Sequence, residues 1–555
     1  ATRILEECEK ELGWMYETRH VINGKLQTGI DGEPVSGRIN YTVWSDVFIC
    51  PTCSNEIVFW DAAVDKKNGK VNDTFFCPHC RSELTKRSCA RAQETHFDTR
   101  LNEFVTMAKQ VPVLINYSVG NKRFEKTPDE YDLALIDKIN NMEIQYWYPT
   151  DELPNGYNTE QPKRSHGITH VHQFYTKRNL AVMAALVNNS SKSHYRHTLN
   201  FMLSSYNLTH STLMTRIIFK ANNNKPILTG YQSGTLYISS LPVEKNIFNG
   251  IRNMKIELIC DALKQIKYNS FVTNQSTNQL INLPSNALDY IFTDPPFGSN
   301  LNYSELSFLW EAWLKVVTNQ KHEAIINAVQ GKGLLEYQSL MTQCFSECYR
   351  VLKPGRWMTV EFHNSQNSVW NAIQESLQRS GFIIADVRTL DKQQGSFKQV
   401  TTTSAVKQDL VISAYKPKES FKREFISHAG SEETAWSFVR QHLENLPVVV
   451  VKNGKIELIA ERQAFLLYDR MVAYHIMNGI AVPLDATDFY KGLDERFLKR
   501  DGMYFLADQV NEYDTARIIN DVEPIQFELF VTNEKSAIAW LYQQLETPQT
   551  YAELQ

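Results

Sequence analysis

The chain has no apolar run long enough for a membrane-spanning helix, for which about 20 consecutive residues are needed. Its opening, ATRILEECEKELGWMY, shows neither the apolar core nor the cleavage pattern of a secretory leader. A cytoplasmic protein without a membrane partner is therefore expected. An excess of positive charge is missing as well: 58 lysines and arginines stand against 62 acidic residues, for a net charge of −4. That balance excludes a polycation that coats nucleic acid, so any nucleic-acid surface has to be a local patch. Low-complexity stretches and long internal repeats are also lacking. With 43% hydrophobic and 22% charged residues, the composition excludes wholesale disorder. What is left is a globular chain of 555 residues, long enough for roughly two to four domains.

The nine cysteines, without a leader, point away from a disulfide framework and toward metal or core roles. FICPTCSNEIVF and FFCPHCRSELTK are near copies, each reading Cys-Pro-x-Cys-x-x-Glu before Ile or Leu. Cys50, Cys53, Cys77 and Cys80 thus make two Cys-x-x-Cys knuckles, with Asn68-Gly69 between them as a hairpin turn. Two knuckles surround one tetrahedral ion with four thiolates and leave no open position, which is the pattern of structural zinc. A redox dithiol is the competing use, and the duplication argues against it. Arg81, Lys86, Arg87, Arg91 and Arg100 follow with few acids among them. Such a patch contacts DNA phosphates or else lies on a solvated helix face. Cys344 and Cys348 stand four apart on an apolar helix face and read as core, while Cys8, Cys89 and Cys260 carry no signal.

The chain opens on a helical pattern in Ile4, Leu5, Cys8, Leu12 and Trp14, with no capping residue before it, as if entered part-way through a domain. The glycine-rich GKLQTGIDGEPVSGR follows. A further helix is expected over YTKRNLAVMAALVNN, and a polar stretch ends in KANNNKP. The pattern then changes to short strands separated by helices. NALDYIFT reads as a strand, and EYQSLMTQCFSECYRVL as a helix with Leu340, Met341, Cys344, Phe345, Cys348 and Leu352 on one face. KPGRWMTVEFH stops that helix and starts a strand in which Met358, Val360 and Phe362 alternate. A helix over SVWNAIQESLQRSG and strands over FIIADV and DLVISAYK complete the run. This alternation is the signature of an α/β fold with a doubly wound sheet. Beyond it, VVVVKNGKIELIA reads as a hairpin turning at Asn453-Gly454 and ERQAFLLYDRMVAYHI as a helix, with no chemical motif.

The strand NALDYIFT runs directly into Asp294, Pro295, Pro296 and Phe297. In open α/β sheets ligands bind beyond the carboxyl ends of the strands. Proline fixes φ and removes the N–H, so both proline carbonyls are expected to stand as acceptors without a competing donor. A carboxylate, an aimed carbonyl and an aromatic ring together suit an exocyclic amine. Two acceptors hold its hydrogens and draw its lone pair out of conjugation, while the ring stacks on the base. A turn after a strand is the plainer use of the same residues.

With YSELSFLWEAWL after the motif, YRVLKPGRWMTVEF after the next helix and DLVISAYKP at the close, residues 226–418 resemble the bacterial DNA amino-methyltransferases. These enzymes methylate N6 of adenine or N4 of cytosine with S-adenosylmethionine, through an Asp/Asn/Ser-Pro-Pro-Tyr/Phe/Trp motif. The cysteine module and C-terminal part resemble a larger subgroup with a zinc-binding insertion. The resemblance implies a Rossmann-like methyltransferase sheet, a zinc ribbon, an α+β C-terminal domain, and catalytic roles for Asp294, Pro295, Pro296 and Phe297. It divides the chain into an N-terminal helical segment (1–41), the zinc ribbon (42–100), a mixed insertion that includes a DNA-recognition region (101–225), the catalytic domain (226–418) and a C-terminal domain (419–555). Arg356 departs from the family, which has a second glycine there. The family's Phe-x-Gly-x-Gly cofactor loop has no counterpart: QGKGLL follows no strand and TGYQSGTLYI places its glycines before one. The missing strand and loop are expected ahead of Ala1, which would make the chain a fragment.

The expected function is S-adenosylmethionine-dependent methylation of a base flipped from double-stranded DNA, N6 of adenine favoured, in a restriction-modification or phage-defence system. Five-carbon cytosine methylation is excluded, because it needs a cysteine nucleophile in a Pro-Cys dipeptide and none occurs. Two alternatives stay open: a non-catalytic, methyltransferase-like recognition or assembly subunit, and an RNA guanine-N2 methyltransferase.

Overall fold

The computed structural model describes residues 1–522 except 67, 219–226, 229, 231, 266–269, 365, 392–407 and 453. Asn453 of the expected hairpin turn, the asparagine-rich stretch at 220–226 and residues 523–555 of the expected C-terminal domain lie outside the described residues. The chain divides into two compact units, Ala1–Val272 with Asn302–Gln320, and Thr273–Leu301 with Lys321–Gln555.

One long strand, Ser36–Ile49, organises the first unit. It pairs antiparallel with Glu17–Arg19, Glu56–Val58, Ala90–Arg91, Gln110–Val119 and Val243–Lys245. Ile39, Val43 and Val47 lie four apart along it and are buried on one face. Because this strand crosses residue 41 and gathers partners from four of the expected segments, 1–41, 42–100, 101–225 and the start of 226–418 share one unit. The helices Thr2–Leu12, Lys177–Ser191, Arg196–Ser211 and Tyr303–Leu314 contribute to its main core. Lys177–Ser191 buries a continuous run from Leu180 to Leu186, as an all-round apolar helix must. Tyr303–Leu314 is the YSELSFLWEAWL stretch. Its Leu309, Ala312 and Trp313 lie in this core, and Glu305 is a buried carboxylate that accepts from the backbone N–H of Asn158 at 2.8 Å. The expected catalytic segment is thus shared between the two units.

The second unit is built on four strands: β1 (Leu288–Thr293), β2 (Leu352–Phe362), β3 (Ile383–Asp391) and β4 (Gln408–Tyr415). Their spatial order is β1-β2-β4-β3. β1 and β2 are parallel, while β4 runs antiparallel to both of its neighbours. A parallel pair needs a crossover, and here it is the helix α1 (Leu334–Val351). Met341, Phe345 and Cys348 of α1 and Val369, Ile373 and Leu377 of α2 (Asn367–Arg379) cover one sheet face over Met358, Val360, Phe362 and Ile412. Cys348 is core, as its spacing implied, and burial pushes the Cys344 thiol up to about 11. The far end of the opposite face, at Ile383, Ala385 and Tyr415, is covered by helices after residue 418. Mixed α/β structure is what these residues display. β1 pairs on one side only among the described residues, and Tyr290 and Phe292 on it are 54% and 59% exposed.

Candidate active site

β1 delivers its last residue, Thr293, beside Val360 of β2. Asp294 is exposed just past the strand, Pro295 is buried, and Pro296 and Phe297 are half-buried. Three groups then pin the loop. The Gly298 N–H donates to the Pro296 carbonyl at 3.0 Å, and the buried Tyr337 hydroxyl donates to that same oxygen at 2.7 Å. Asn364 donates from Nδ2 to the Phe297 carbonyl at 2.9 Å, while its own main-chain carbonyl accepts from Trp370 Nε1. Gly298 has φ +66°, and a Cβ there would meet Asn364 Nδ2 at 3.1 Å and Val369 Cγ1 at 3.2 Å. The loop therefore requires glycine at this position on two counts.

One expectation is corrected here. The Pro296 carbonyl is not open, since Tyr337 and Gly298 both hold it. The Pro295 carbonyl accepts no hydrogen bond among the described residues, which leaves one aimed acceptor next to the Asp294 carboxylate. The Phe297 ring stands edge-to-face with Phe362 (5.5 Å, 85°) and with His363 (6.0 Å, 67°). Tyr337 and Asn364 were not legible beforehand, for their roles depend on which backbone oxygens they meet.

The four knuckle cysteines come together. Their Sγ atoms all lie within 4.8 Å of one another, with Cys50 to Cys80 and Cys53 to Cys77 each at 3.7 Å. Tetrahedral Zn–S bonds of about 2.3 Å place sulfurs roughly 3.8 Å apart, so the set fits a zinc ion. The two knuckles also share a backbone. Ser54 and Arg81, each four residues after the first cysteine of its knuckle, take positive φ of 58° and 65° and donate to the carbonyls of Cys50 and Cys77. Hydrogen bonds from the Ser82 hydroxyl and amide bring the Cys80 thiol down to about 6, toward the thiolate a metal needs.

The four basic candidates separate. Arg81 and Arg87 are exposed. Arg91 places Nε 2.7 Å from the fully buried Asp46 carboxylate, and Lys86 is half-buried over the Phe59 ring. Arg100 likewise donates to the Ile144 carbonyl. The last three charges are engaged within the protein.

The comparisons with known proteins bear on this loop. Residues 288–455, which begin with β1 and run through the whole sheet, match the family model for N6 and N4 methyltransferases described as DNA methylase. This segment belongs to the DNA methylase family. No curated protein matches the chain. Among solved structures it is similar to the [4+2]-cyclase SpnF, with 15% identity over 29% of this chain and 61% of that one, at a TM-score of 0.17. It is also similar to a candidate DNA modification methylase from Thermus thermophilus, with 12% identity over 30% and 62%, at 0.16. A SAM-dependent methyltransferase from Methanosarcina mazei shares 12% over 30% and 79%, at 0.17. The chain spans about three fifths of the length of the first two. At such TM-scores these likenesses carry no argument about the site.

A DNA methylase segment calls for a methyl donor. Among the described residues β1 pairs on one side only.

Proposed function

We propose that the chain methylates the exocyclic amine of a DNA base, N6 of adenine in preference to N4 of cytosine, with S-adenosylmethionine as donor. The observation that carries this is the Pro295 carbonyl, unengaged among the described residues and stiffly held beside the exposed Asp294 carboxylate at a strand end of a DNA methylase segment. Two acceptors there can hold both hydrogens of an NH2 group, and Phe297 supplies a stacking face. An amine paired inside a duplex reaches that loop only by flipping. The sheet is then the second half of a doubly wound methyltransferase sheet. The zinc ribbon is a structural module whose Arg81 and Arg87 contact DNA phosphates, and the setting is a restriction-modification or defence system.

The test is incubation of the chain with labelled S-adenosylmethionine and double-stranded DNA. Label is expected in N6-methyladenine, and N4-methylcytosine would change the base but keep the chemistry. Asp294→Ala should abolish transfer without changing zinc content or melting temperature, and an active variant would remove Asp294 from the amine site. A second reading is a non-catalytic recognition or assembly subunit, supported by the one-sided pairing of β1 among the described residues. Absence of any transfer by the wild type would select it.

A further inference from the structure

The end of β2 carries a polar pair that the four-residue motif does not account for. His363 follows Phe362, the last residue of the strand, and its Nδ1 lies 2.6 Å from Asp409 Oδ1. Asp409 is 1% exposed and stands at the start of β4, where its neighbour Leu410 pairs with Phe362. A buried carboxylate is costly unless a donor meets it, and the His363 ring is the group within ion-pair distance of this one, although the two atoms are not aligned as a hydrogen bond. With Nδ1 on the Asp409 side, Nε2 lies at the opposite edge of the ring. The side chain is 19% exposed. The same ring abuts Phe297, and the His363 carbonyl accepts from Asn300, two residues past Gly298. Asn364, the next residue, holds the Phe297 backbone. The dipeptide His363-Asn364 therefore clamps the motif loop from the adjacent strand, through both ring and main chain.

We propose that His363, oriented by Asp409, is a second base-contacting residue of this site. It sets the ring of Phe297 on which the base stacks and presents Nε2 to the hydrogen-bonding edge of that base. The proposal rests on the amine-methylating reading, because it takes the ligand beside Phe297 to be a base. It requires no donor in the site.

The experiment is a fluorescence titration of the full chain with a single-stranded oligonucleotide carrying one 2-aminopurine. Emission from that base falls on stacking, and no unpairing cost enters. The wild type should quench it saturably, and Phe297→Ala should not. His363→Ala should bind the probe roughly tenfold more weakly, the worth of one hydrogen bond and a ring contact, at unchanged melting temperature and zinc content. Asp409→Asn should behave alike, and His363→Gln, which keeps an acceptor, should recover most of the loss. Wild-type affinity in His363→Ala would overturn the role of His363 alone. Weak binding with lowered melting temperature in both His363 variants would mark a structural role and overturn it too. If the wild type neither quenches the probe nor transfers methyl to DNA, the base site itself is lost, and this proposal with it.

Discussion

Single hydroxyls and carboxylates set the working geometry. The Tyr337 hydroxyl, buried and 2.7 Å from the Pro296 carbonyl, closes the oxygen that would otherwise compete with Pro295 for a ligand amine. Tyr337→Phe should cost about 1 kcal/mol of stability and loosen the loop, seen as faster amide exchange at Phe297 and Gly298. Unchanged exchange would mean that the turn holds itself. Glu461 is a second case. Burial alone would raise its carboxyl, but Arg470, 2.6 Å away, and His442 outweigh that and hold it at about 2. A carboxylate depressed in this way stabilises the fold fully above its ordinary range near 4.5, and that contribution is lost as pH falls toward 2. Glu461→Gln should therefore flatten the loss of stability between those values, a difference on the order of 3 kcal/mol, measured by denaturant titration across the acid range. An equal acid slope in the variant would contradict it.

At the scale of elements, the cysteine module is made of short strands that rest on the first unit's sheet and core. Glu56–Val58, Thr74–Phe76 and Glu83–Thr85 have three residues each, below the length at which isolated pairing is stable in water. Phe48, Ile57, Phe59, Phe75 and Leu84 share a core with Cys50 and Cys77, and four thiolates on one ion would cross-link that core. The purified chain is expected to carry one zinc, and chelation or Cys50→Ser should unfold the ribbon and free the thiols to a colorimetric reagent. Full thiol accessibility with zinc bound would refute a closed site. The helix α1 is held differently. Lys416 donates from Nζ to the carbonyls of Tyr349 and Leu352 and to Asn286 Oδ1, all at 2.7 Å, so a cation sits at the helix C-terminus. That fastening sets where β2 begins, and so where His363 and Asn364 end up.

For the whole molecule, the two units have separate cores. Heating should give two transitions in a calorimeter, and chelation should move one of them. A single transition that moves as a whole would show cooperative unfolding of both. No helix among the described residues is long and apolar enough to cross a membrane. With a net charge of −4, any DNA affinity has to come from a local surface and should fall steeply with added salt.

By itself the sequence determined whatever depends on near neighbours. The knuckle spacing brought Cys50, Cys53, Cys77 and Cys80 together, and the helix and strand periods of 288–418 reappear as α1, α2 and β1–β4. The Asp294 loop falls at a strand end, as its order in the chain implied. Such features are local because hydrogen bonds and burial repeat every two or 3.6 residues. Only the tertiary structure decided which proline oxygen is open, that Arg91 turns to Asp46, that Tyr303–Leu314 packs in the first core, and that Asp409 meets His363. Each of those depends on a partner tens to hundreds of residues away, and sheet register and core packing, which no local pattern encodes, select that partner.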